Sequence, residues 1–379
     1  MQPDERDDGT NGSGVVRTLV TYVSGHGFGH ASRTIELLNA LADRAPDVRL
    51  VVRSAVAPWL FARTARPTVV LEPLECDTGA VQIGSLHLDP DETVRQARAF
   101  MREWPARVDA EAAVLRAHGA TLVLADIPPL GIAAAKAAGV PAVAMSNFTW
   151  DWIYAAYPGA GDLSRAIGDI YATADLALRL PLWGGFATFP QIVDLPFIAR
   201  RSRRNRDEVR RAFDLPLDRP LALVSFGGYG VRQLPLGRLD CLDEWDIVVS
   251  SAGEETAPLP RGVHHVREGA MYESGLRYED LVGTVDVVIT KPGYGILSDC
   301  IANGAAMLYT PRGRFAEYDV MVAEMPGMLR CHRLELDAFE DGRWSAGLRE
   351  LSGVAAPPLP RTDGAAVVAA MIADRLSAP

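Results

Sequence analysis

Lysine is nearly absent from this chain of 379 residues: Lys136 and Lys291 are its two lysines, against 36 arginines. A nucleoside-triphosphate P-loop requires a lysine directly after a glycine. Lys136 follows an alanine and Lys291 follows a threonine. The sequence therefore excludes a P-loop.

Paired cysteines are also lacking. The four cysteines are far apart and form no Cys-x-x-Cys motif, so neither a zinc site nor a disulfide framework is expected; they are Cys76, Cys241, Cys300 and Cys331. We expect a protein without a bound metal.

Long apolar runs and a signal-peptide core are absent too. No run of 18 apolar residues occurs, which predicts no transmembrane segment. Residues 1–15 are polar and predict a disordered tail, so a cytoplasmic protein is expected. The net charge of −10 opposes nonspecific binding to nucleic acid.

What the chain does contain is a repeated alternation of strand-like and helix-like segments, which is typical of a doubly wound parallel sheet. Two such series are separated by an arginine-rich stretch near residue 200. We predict an α/β protein of two Rossmann-like domains that face each other across a cleft. The N-terminal domain is predicted at 16–200 together with a C-terminal helix at 363–377, and the C-terminal domain at 201–362.

A glycine-rich turn joins the first predicted strand to the first predicted helix. There, backbone N–H groups at a helix start can face an anion, and the candidate ligand contacts are Gly25, Gly27, Gly29 and Arg33. Ser32 occupies the position of the third glycine in a dinucleotide fingerprint, and the second predicted strand ends in Arg53 rather than an acid. NAD is therefore disfavoured.

A second glycine-rich turn follows a strand in the other half of the chain and mirrors the first. Its candidate anion contacts are Lys291, Gly293, Tyr294, Gly295 and Ser298. Gly227 and Gly228 follow a further strand and are added to this set. Ligands of doubly wound folds bind at the carboxyl ends of strands, so two facing turns favour a phosphorylated ligand over simple tight packing.

Two histidines of the first turn are candidate general bases, and His26 is slightly preferred to His30. Polar and aromatic residues that follow strands or lie on a long polar loop suit a carbohydrate acceptor; they are Asp77, Gln82, Asn147, Trp150 and Asp151. Glu317 is a candidate contact to ribose or sugar hydroxyls. Each has a plainer alternative as a packing or solvated residue.

Five segments together resemble one known family, the glycosyltransferase-like N-terminal part of L-arabinokinases. They occur in the same order and begin with the first turn; they are residues 25–33, 77–82, 146–154, 291–295 and 314–317. More distantly, the chain resembles the peptidoglycan N-acetylglucosaminyltransferase type of the GT-B superfamily.

The resemblance implies a nucleotide-diphosphate sugar held mainly by the second domain and an acceptor held mainly by the first. It implies that His26 or His30 serves as the base or as a donor to phosphate. The second acid that the family usually carries after the glutamate is replaced by Tyr318. No ATP motif stands in for a kinase half, so sugar-kinase activity is not carried over.

We therefore predict a hexosyl- or pentosyltransferase that uses a nucleotide-diphosphate sugar, with UDP favoured. The transfer is predicted to invert the configuration at the anomeric carbon and to need no metal ion. Its partners would be small-molecule donor and acceptor, without nucleic acid. Two alternatives stay open at the level of sequence. One is a hydrolase in which the histidine activates water, and the other is a protein that binds a nucleotide sugar without turnover.

Overall fold

The computed structural model describes residues 17–83, 87–226, 234–251, 258–311, 313 and 315–378, without the side chain of His87. The predicted tail at 1–15 and the predicted contacts Gly227 and Gly228 lie outside the described residues. Among those residues, no helix combines the length and the apolarity needed to cross a membrane.

The N-terminal lobe is built on one parallel sheet. Its elements are β1 (Thr18–Val23), α1 (Gly29–Arg44), β2 (Arg49–Ser54), α2 (Pro58–Thr64), β3 (Val69–Pro73), β4 (Gln82–Ile83), β5 (His87–Leu88), α3 (Pro90–Arg102), α4 (Trp104–His118), β6 (Leu122–Asp126), α5 (Pro129–Ala138), β7 (Ala142–Phe148), α6 (Trp150–Ala155), α7 (Gly161–Tyr171), β8 (Leu176–Gly184) and β9 (Ile192–Asp194). Seven strands pair in the order β3-β2-β1-β6-β7-β8-β9, and β4 and β5 form a small antiparallel pair.

The C-terminal lobe repeats the plan with a second parallel sheet. Its elements are α8 (Arg206–Ala212), β10 (Leu221–Ser225), β11 (Asp246–Ser251), β12 (Val263–Arg267), α9 (Glu268–Glu273), α10 (Tyr278–Thr284), β13 (Val287–Thr290), α11 (Tyr294–Asn303), β14 (Ala306–Tyr309), α12 (Ala316–Glu324), β15 (Cys331–Arg333), α13 (Leu336–Asp341), α14 (Ser345–Ser352) and α15 (Gly364–Ser377). The strand order is β12-β11-β10-β13-β14-β15. The predicted α/β architecture of two doubly wound sheets is confirmed.

The central strands are buried along their whole length because helices cover both faces of each sheet. In β1 every residue is buried, and β6 and β7 are buried likewise. The apolar clusters on the two faces of the N-terminal sheet bury most of its leucines, valines and isoleucines. This rigid core positions the strand ends, where the polar residues of the site begin.

The last helix, α15, lies against α1 of the N-terminal lobe. The backbone at the start of α15 is hydrogen-bonded to the N-terminal lobe: the Gly364 N–H donates to the Phe197 carbonyl at 2.9 Å. A Cβ on Gly364 would lie 2.4 Å from the Pro196 carbonyl oxygen, which explains a glycine at the start of this helix. The exact domain boundaries stay a prediction.

Candidate active site between the lobes

A cavity of about 590 Å³ lies between the lobes, at the carboxyl ends of both sheets. The two glycine turns face each other across it, and residues 24–30 and 290–296 contribute to its lining. The approach is close: a Cβ on Gly295 would lie 3.5 Å from the Cα of Gly29. The structure therefore brings together the two turns that sequence patterns selected.

Both helices that begin at these turns start without a side-chain cap. Neither Phe28, which precedes α1, nor Gly293, which precedes α11, caps its helix through a side chain. The first N–H groups of a helix have no partner within the helix, and they carry the positive end of its dipole. The ends of α1 and α11 thus supply an environment that favours an anion in the cavity.

His30 pairs with a buried aspartate that no sequence motif marks. Its Nδ1 lies 2.8 Å from Oδ1 of Asp126, at the end of β6. Nδ1 also lies 2.9 Å from Arg33 Nη2. In the tautomer with the proton on Nδ1, His30 donates to Asp126 and its Nε2 has the lone pair. His30 lines the cavity, and its side chain is 14 % exposed.

Asp126 is completely buried and is held by positive and hydroxyl donors. Arg33 Nε donates to its Oδ2 at 2.8 Å, and Thr34 donates to the same oxygen at 2.9 Å. Burial opposes ionisation, but Arg33 and His30 outweigh it and hold the pKa of Asp126 well below its ordinary value. Asp126 is therefore an anion that orients His30.

A chain of hydrogen bonds runs from this pair to the other lobe. Arg33 Nη1 donates to Asn147 Oδ1 at 2.7 Å, and Asn147 Nδ2 donates to Glu317 Oε1 at 2.6 Å. All three side chains are buried yet line the cavity. The structure thus places Arg33, Asn147 and Glu317, chosen separately from the sequence, in one network.

His26 has different surroundings from His30. Its Nε2 donates to the backbone carbonyl of Asp77 at 3.1 Å, and its side chain is 41 % exposed. Its ring packs so tightly on Gly79 that a Cβ there would lie 2.1 Å from the ring. His26 Nε2 also lies 3.4 Å from Asp77 Oδ1, whereas the contact between His30 Nδ1 and Asp126 Oδ1 is shorter, at 2.8 Å, and His30 is the less exposed histidine. The slight preference for His26 drawn from the sequence stays a prediction.

Asp77 is buried and is not one of the residues that line the cavity. Ser24 and the Trp150 indole donate to its carboxylate at 3.1 and 3.2 Å. Burial raises the pKa of Asp77, although His26 and His30 oppose the shift. The predicted acceptor contact by Asp77 is therefore not direct, whereas Trp150 and Gln82 do line the cavity.

Three predicted site residues have other roles in the structure. The Ser298 hydroxyl is buried and donates to the Gly295 carbonyl at 2.9 Å, one turn back in its own helix, so it does not face the cavity. Asp151 lies outside the cavity lining and packs beside Gly168 and Thr188. The Tyr294 hydroxyl accepts from the Ile198 N–H at 3.2 Å, so its ring, not its hydroxyl, borders the cavity.

Lys291 supplies the cationic group of the second turn. Its Nζ donates to the Gln82 side chain of the opposite lobe at 3.4 Å. Both residues line the cavity next to Gly293 and Gly295. Among the described residues, no group of three or more His, Cys, Asp or Glu side chains is arranged to hold a metal ion.

Several residues of the site were missed at the sequence level, among them Asp126, which pairs with His30 from outside the cavity lining. Asp126 had one usable signal, since it ends a strand that neighbours β1 and so reaches the same sheet edge as the first turn. Trp59, Glu268, Tyr272 and Tyr278 line the cavity. No local motif marks these four, because they meet only when the lobes face each other.

Comparison with known proteins agrees with this architecture. No protein-family model matches the chain. It is 28 % identical over 336 residues to the L-arabinokinase of Arabidopsis thaliana, which covers 84 % of this chain and 30 % of that protein. It is 30 % identical over 223 residues to an uncharacterized glycosyltransferase of Methanopyrus kandleri, covering 54 % of this chain and 59 % of that one. The chain thus spans less than two thirds of the length of either relative.

Solved structures extend the likeness to nearly the full chain. The kitacinnamycin glycosyltransferase has a TM-score of 0.65 at 16 % identity, covering 94 % of this chain and 98 % of that one. The calicheamicin glycosyltransferase CalG4 has a TM-score of 0.61 at 18 % identity, covering 96 % and 100 %. A glycosyltransferase of Phytolacca americana in complex with UDP-2-fluoroglucose and pterostilbene has a TM-score of 0.60 at 12 % identity, covering 96 % and 100 %. Together with the two facing sheets, these likenesses show that the chain has the two-lobed GT-B fold of these glycosyltransferases.

Proposed function

We propose that this chain transfers a sugar from a nucleotide-diphosphate sugar to a hydroxyl group of a small-molecule acceptor. The observation that carries the proposal is that His30, paired with the buried Asp126, lines the same cavity as the uncapped start of α11. A base for the acceptor and an anion-favouring helix end for the leaving group are the two groups that such a transfer needs. The Phytolacca americana structure supports the ligand class, because it holds a sugar nucleotide in the same fold.

In the proposed reaction, the acceptor oxygen attacks the anomeric carbon from the face opposite the diphosphate. The new carbon–oxygen bond forms as the bond to the diphosphate oxygen breaks, and that electron pair leaves with the diphosphate. His30 Nε2 takes the acceptor proton, and Asp126 stabilises the imidazolium that results. The configuration at the anomeric carbon is inverted.

The leaving diphosphate gains negative charge as the bond breaks. The backbone N–H groups at the start of α11 and the Lys291 ammonium would stabilise this charge. Since these groups act without a divalent ion, we propose that transfer is metal-independent. Turnover that is unchanged in EDTA would agree with this, and loss of turnover restored by Mg²⁺ would contradict it.

The identity of the histidine base gives the main test. Sugar transfer would be measured with a panel of nucleotide sugars and hydroxyl acceptors. We expect His30→Ala to lower kcat roughly 10²- to 10⁴-fold. His332→Ala is a matched control, since His332 lies on β15 outside the cavity lining, and it should leave kcat unchanged.

Three outcomes would contradict the proposal. If His30→Ala keeps full activity, His30 is not the base. If the protein releases free sugar without any acceptor, at the rate of the transfer, it is a hydrolase. If nucleotide sugars bind tightly but neither product appears with any acceptor, the protein is a sensor rather than an enzyme.

A further inference from the structure

Glu268 is a carboxylate in the cavity for which the proposed reaction has no use. It is the first residue of α9, is partly buried, and lines the cavity. Among the described residues it has neither a hydrogen-bond donor nor an ion-pair partner, and burial raises its pKa. A partly desolvated carboxylate in a ligand cavity is stabilised when the ligand brings N–H or O–H donors to it.

The sheet order tells which part of a nucleotide sugar would reach Glu268. The glycine turn follows β13, whereas Glu268 follows β12, and β10 and β11 lie between those two strands. Three strand spacings amount to about 14 Å. A diphosphate at the turn therefore leaves Glu268 beyond the adjoining ribose, at the distance of the outer edge of the base.

Among the described lining residues, the second carboxylate lies on the opposite side of the turn. Glu317 is on α12, which follows β14, the neighbour of β13 away from β10. It is already hydrogen-bonded to Asn147, within reach of the His30 network. The reacting sugar thus belongs on the Glu317 side, and the nucleoside on the Glu268 side.

Aromatic side chains line the cavity near Glu268. Tyr272 and Tyr278 line this end of the cavity, and both tyrosines experience the charge of Glu268. Trp59 of the N-terminal lobe lies with its ring centroid 5.7 Å from that of Tyr272. Stacking on aromatic rings holds the plane of a base while its edge is read by polar groups.

We propose that Glu268 selects guanine, so that the donor is a GDP-sugar; this rests on the proposed glycosyltransferase function. A carboxylate offers two acceptor oxygens side by side. Guanine presents N1–H and N2–H₂ as adjacent donors, which match both oxygens. Uracil and thymine flank their N3–H with two carbonyl oxygens, and adenine and cytosine place a ring acceptor beside their amino group. This assignment replaces the preference for UDP drawn from the sequence.

Binding of free diphosphates by calorimetry tests the assignment, with GDP, inosine diphosphate and UDP as probes. We expect GDP to bind most tightly. Inosine diphosphate, which lacks the 2-amino group, should bind several-fold more weakly than GDP. The Glu268→Gln substitution should weaken GDP on the order of 10- to 100-fold, because it removes charge-assisted hydrogen bonds.

The same substitution should change which base is preferred. A glutamine side chain offers one acceptor and one donor, which suits the edge of uracil better than a carboxylate does. The ratio of GDP affinity to UDP affinity should therefore fall in Glu268→Gln. The matched control is Glu273→Gln on the same helix, an exposed residue outside the cavity lining, which should leave all three affinities unchanged.

The outcomes separate this inference from the proposed function. If UDP binds more tightly than GDP, or Glu268→Gln leaves the GDP affinity unchanged while the variant melts like the wild type, the guanine assignment is overturned and the glycosyltransferase proposal stands. Removal of the ribose 2′-hydroxyl, tested as 2′-deoxy-GDP with the wild type, could weaken binding as much as Glu268→Gln weakens the binding of GDP. If it does, and if inosine diphosphate binds the wild type as tightly as GDP does, Glu268 binds ribose instead. If no nucleoside diphosphate binds at all, both proposals fail.

Discussion

Asp126 and Arg33 are two charged side chains that are buried in this protein. Asp126 has no exposed surface, yet it stays ionised because Arg33 lies against it. Arg33 is itself buried and also donates to Asn147 and Ser146. Such a network holds its members in one geometry, and the loss of one member leaves the others buried without a partner.

Removing Asp126 should therefore destabilise the fold as well as the site. We expect Asp126→Ala to lower the free energy of unfolding by about 3–5 kcal/mol, since Arg33 would remain as an uncompensated buried charge. Urea unfolding measures this. As a control, Asp162→Ala breaks the exposed pair with Arg98 and should change stability little. Equal effects of the two substitutions would contradict the buried network.

Asp77 should show the opposite pH dependence from an ordinary ion-paired aspartate. Burial raises its pKa in the folded state above the ordinary 3.8. The folded state then favours the neutral carboxyl, so its stabilising contribution is complete below the unfolded pKa and is lost as pH rises through the folded pKa. An asparagine at this position does not ionise, so its contribution to the free energy of unfolding is not lost as pH rises.

We expect Asp77→Asn to gain stability relative to the wild type as pH rises from about 4 to about 7. Chemical unfolding at several pH values measures the difference. Asp162→Asn serves as the control, because the pKa of Asp162 is lowered by Arg98; this substitution should lose stability, slightly, over the same range. A constant difference for Asp77→Asn would show that its pKa is not raised.

At the scale of whole elements, helix boundaries follow local rules where side chains cap the helix. The sequence predicts one helix over 91–118 with a kink at Pro105 and an N-cap in the Asp89–Asp91 turn. Asp89 is the N-cap and accepts from the Glu92 N–H at 2.9 Å, which confirms the cap. Instead of one kinked helix, the structure has two helices separated at Glu103, and the second, α4, has Pro105 in its first turn. Proline suits that position because it needs no N–H partner there.

The docking of α15 depends on backbone approach at its first residue. Gly364→Ala should lower stability by about 1–3 kcal/mol, because the new Cβ would meet the Pro196 and Phe197 carbonyls in a packed contact that cannot relax freely. Thermal or urea unfolding measures the loss. Gly327→Ala, where a Cβ meets nothing within 4 Å, is the matched control and should be nearly neutral. If both are neutral, α15 is not held as closely as described.

For the whole molecule, the two lobes are joined by more than the cavity. Arg277 of the C-terminal lobe pairs with Glu36 of α1 at 2.6 Å. Arg33 lies over the Tyr294 ring, 5.0 Å from its centroid, and one apolar cluster contains buried residues of both lobes. α15 belongs to the same cluster through Val368 and Ile372.

Because the lobes share apolar contacts, we expect them to unfold together. Scanning calorimetry should show one transition whose calorimetric and van't Hoff enthalpies agree. Val368→Ala, which removes a buried side chain from α15, should lower the midpoint of that transition without dividing it. Two separated transitions, in the wild type or in Val368→Ala, would contradict a shared core.

Sequence patterns alone predict the strand–helix alternation, the two glycine turns and the histidines in the first of them. These are local features, since hydrophobic periodicity and glycine at a turn act on neighbouring residues. The three-dimensional arrangement alone shows that His30 lies nearer to its buried carboxylate than His26 does, that Ser298 and Asp151 lie outside the cavity lining, and that Glu268 lies in it. Those facts depend on strands that are adjacent in the sheets but distant in the chain, and on two lobes that meet at the carboxyl ends of their strands.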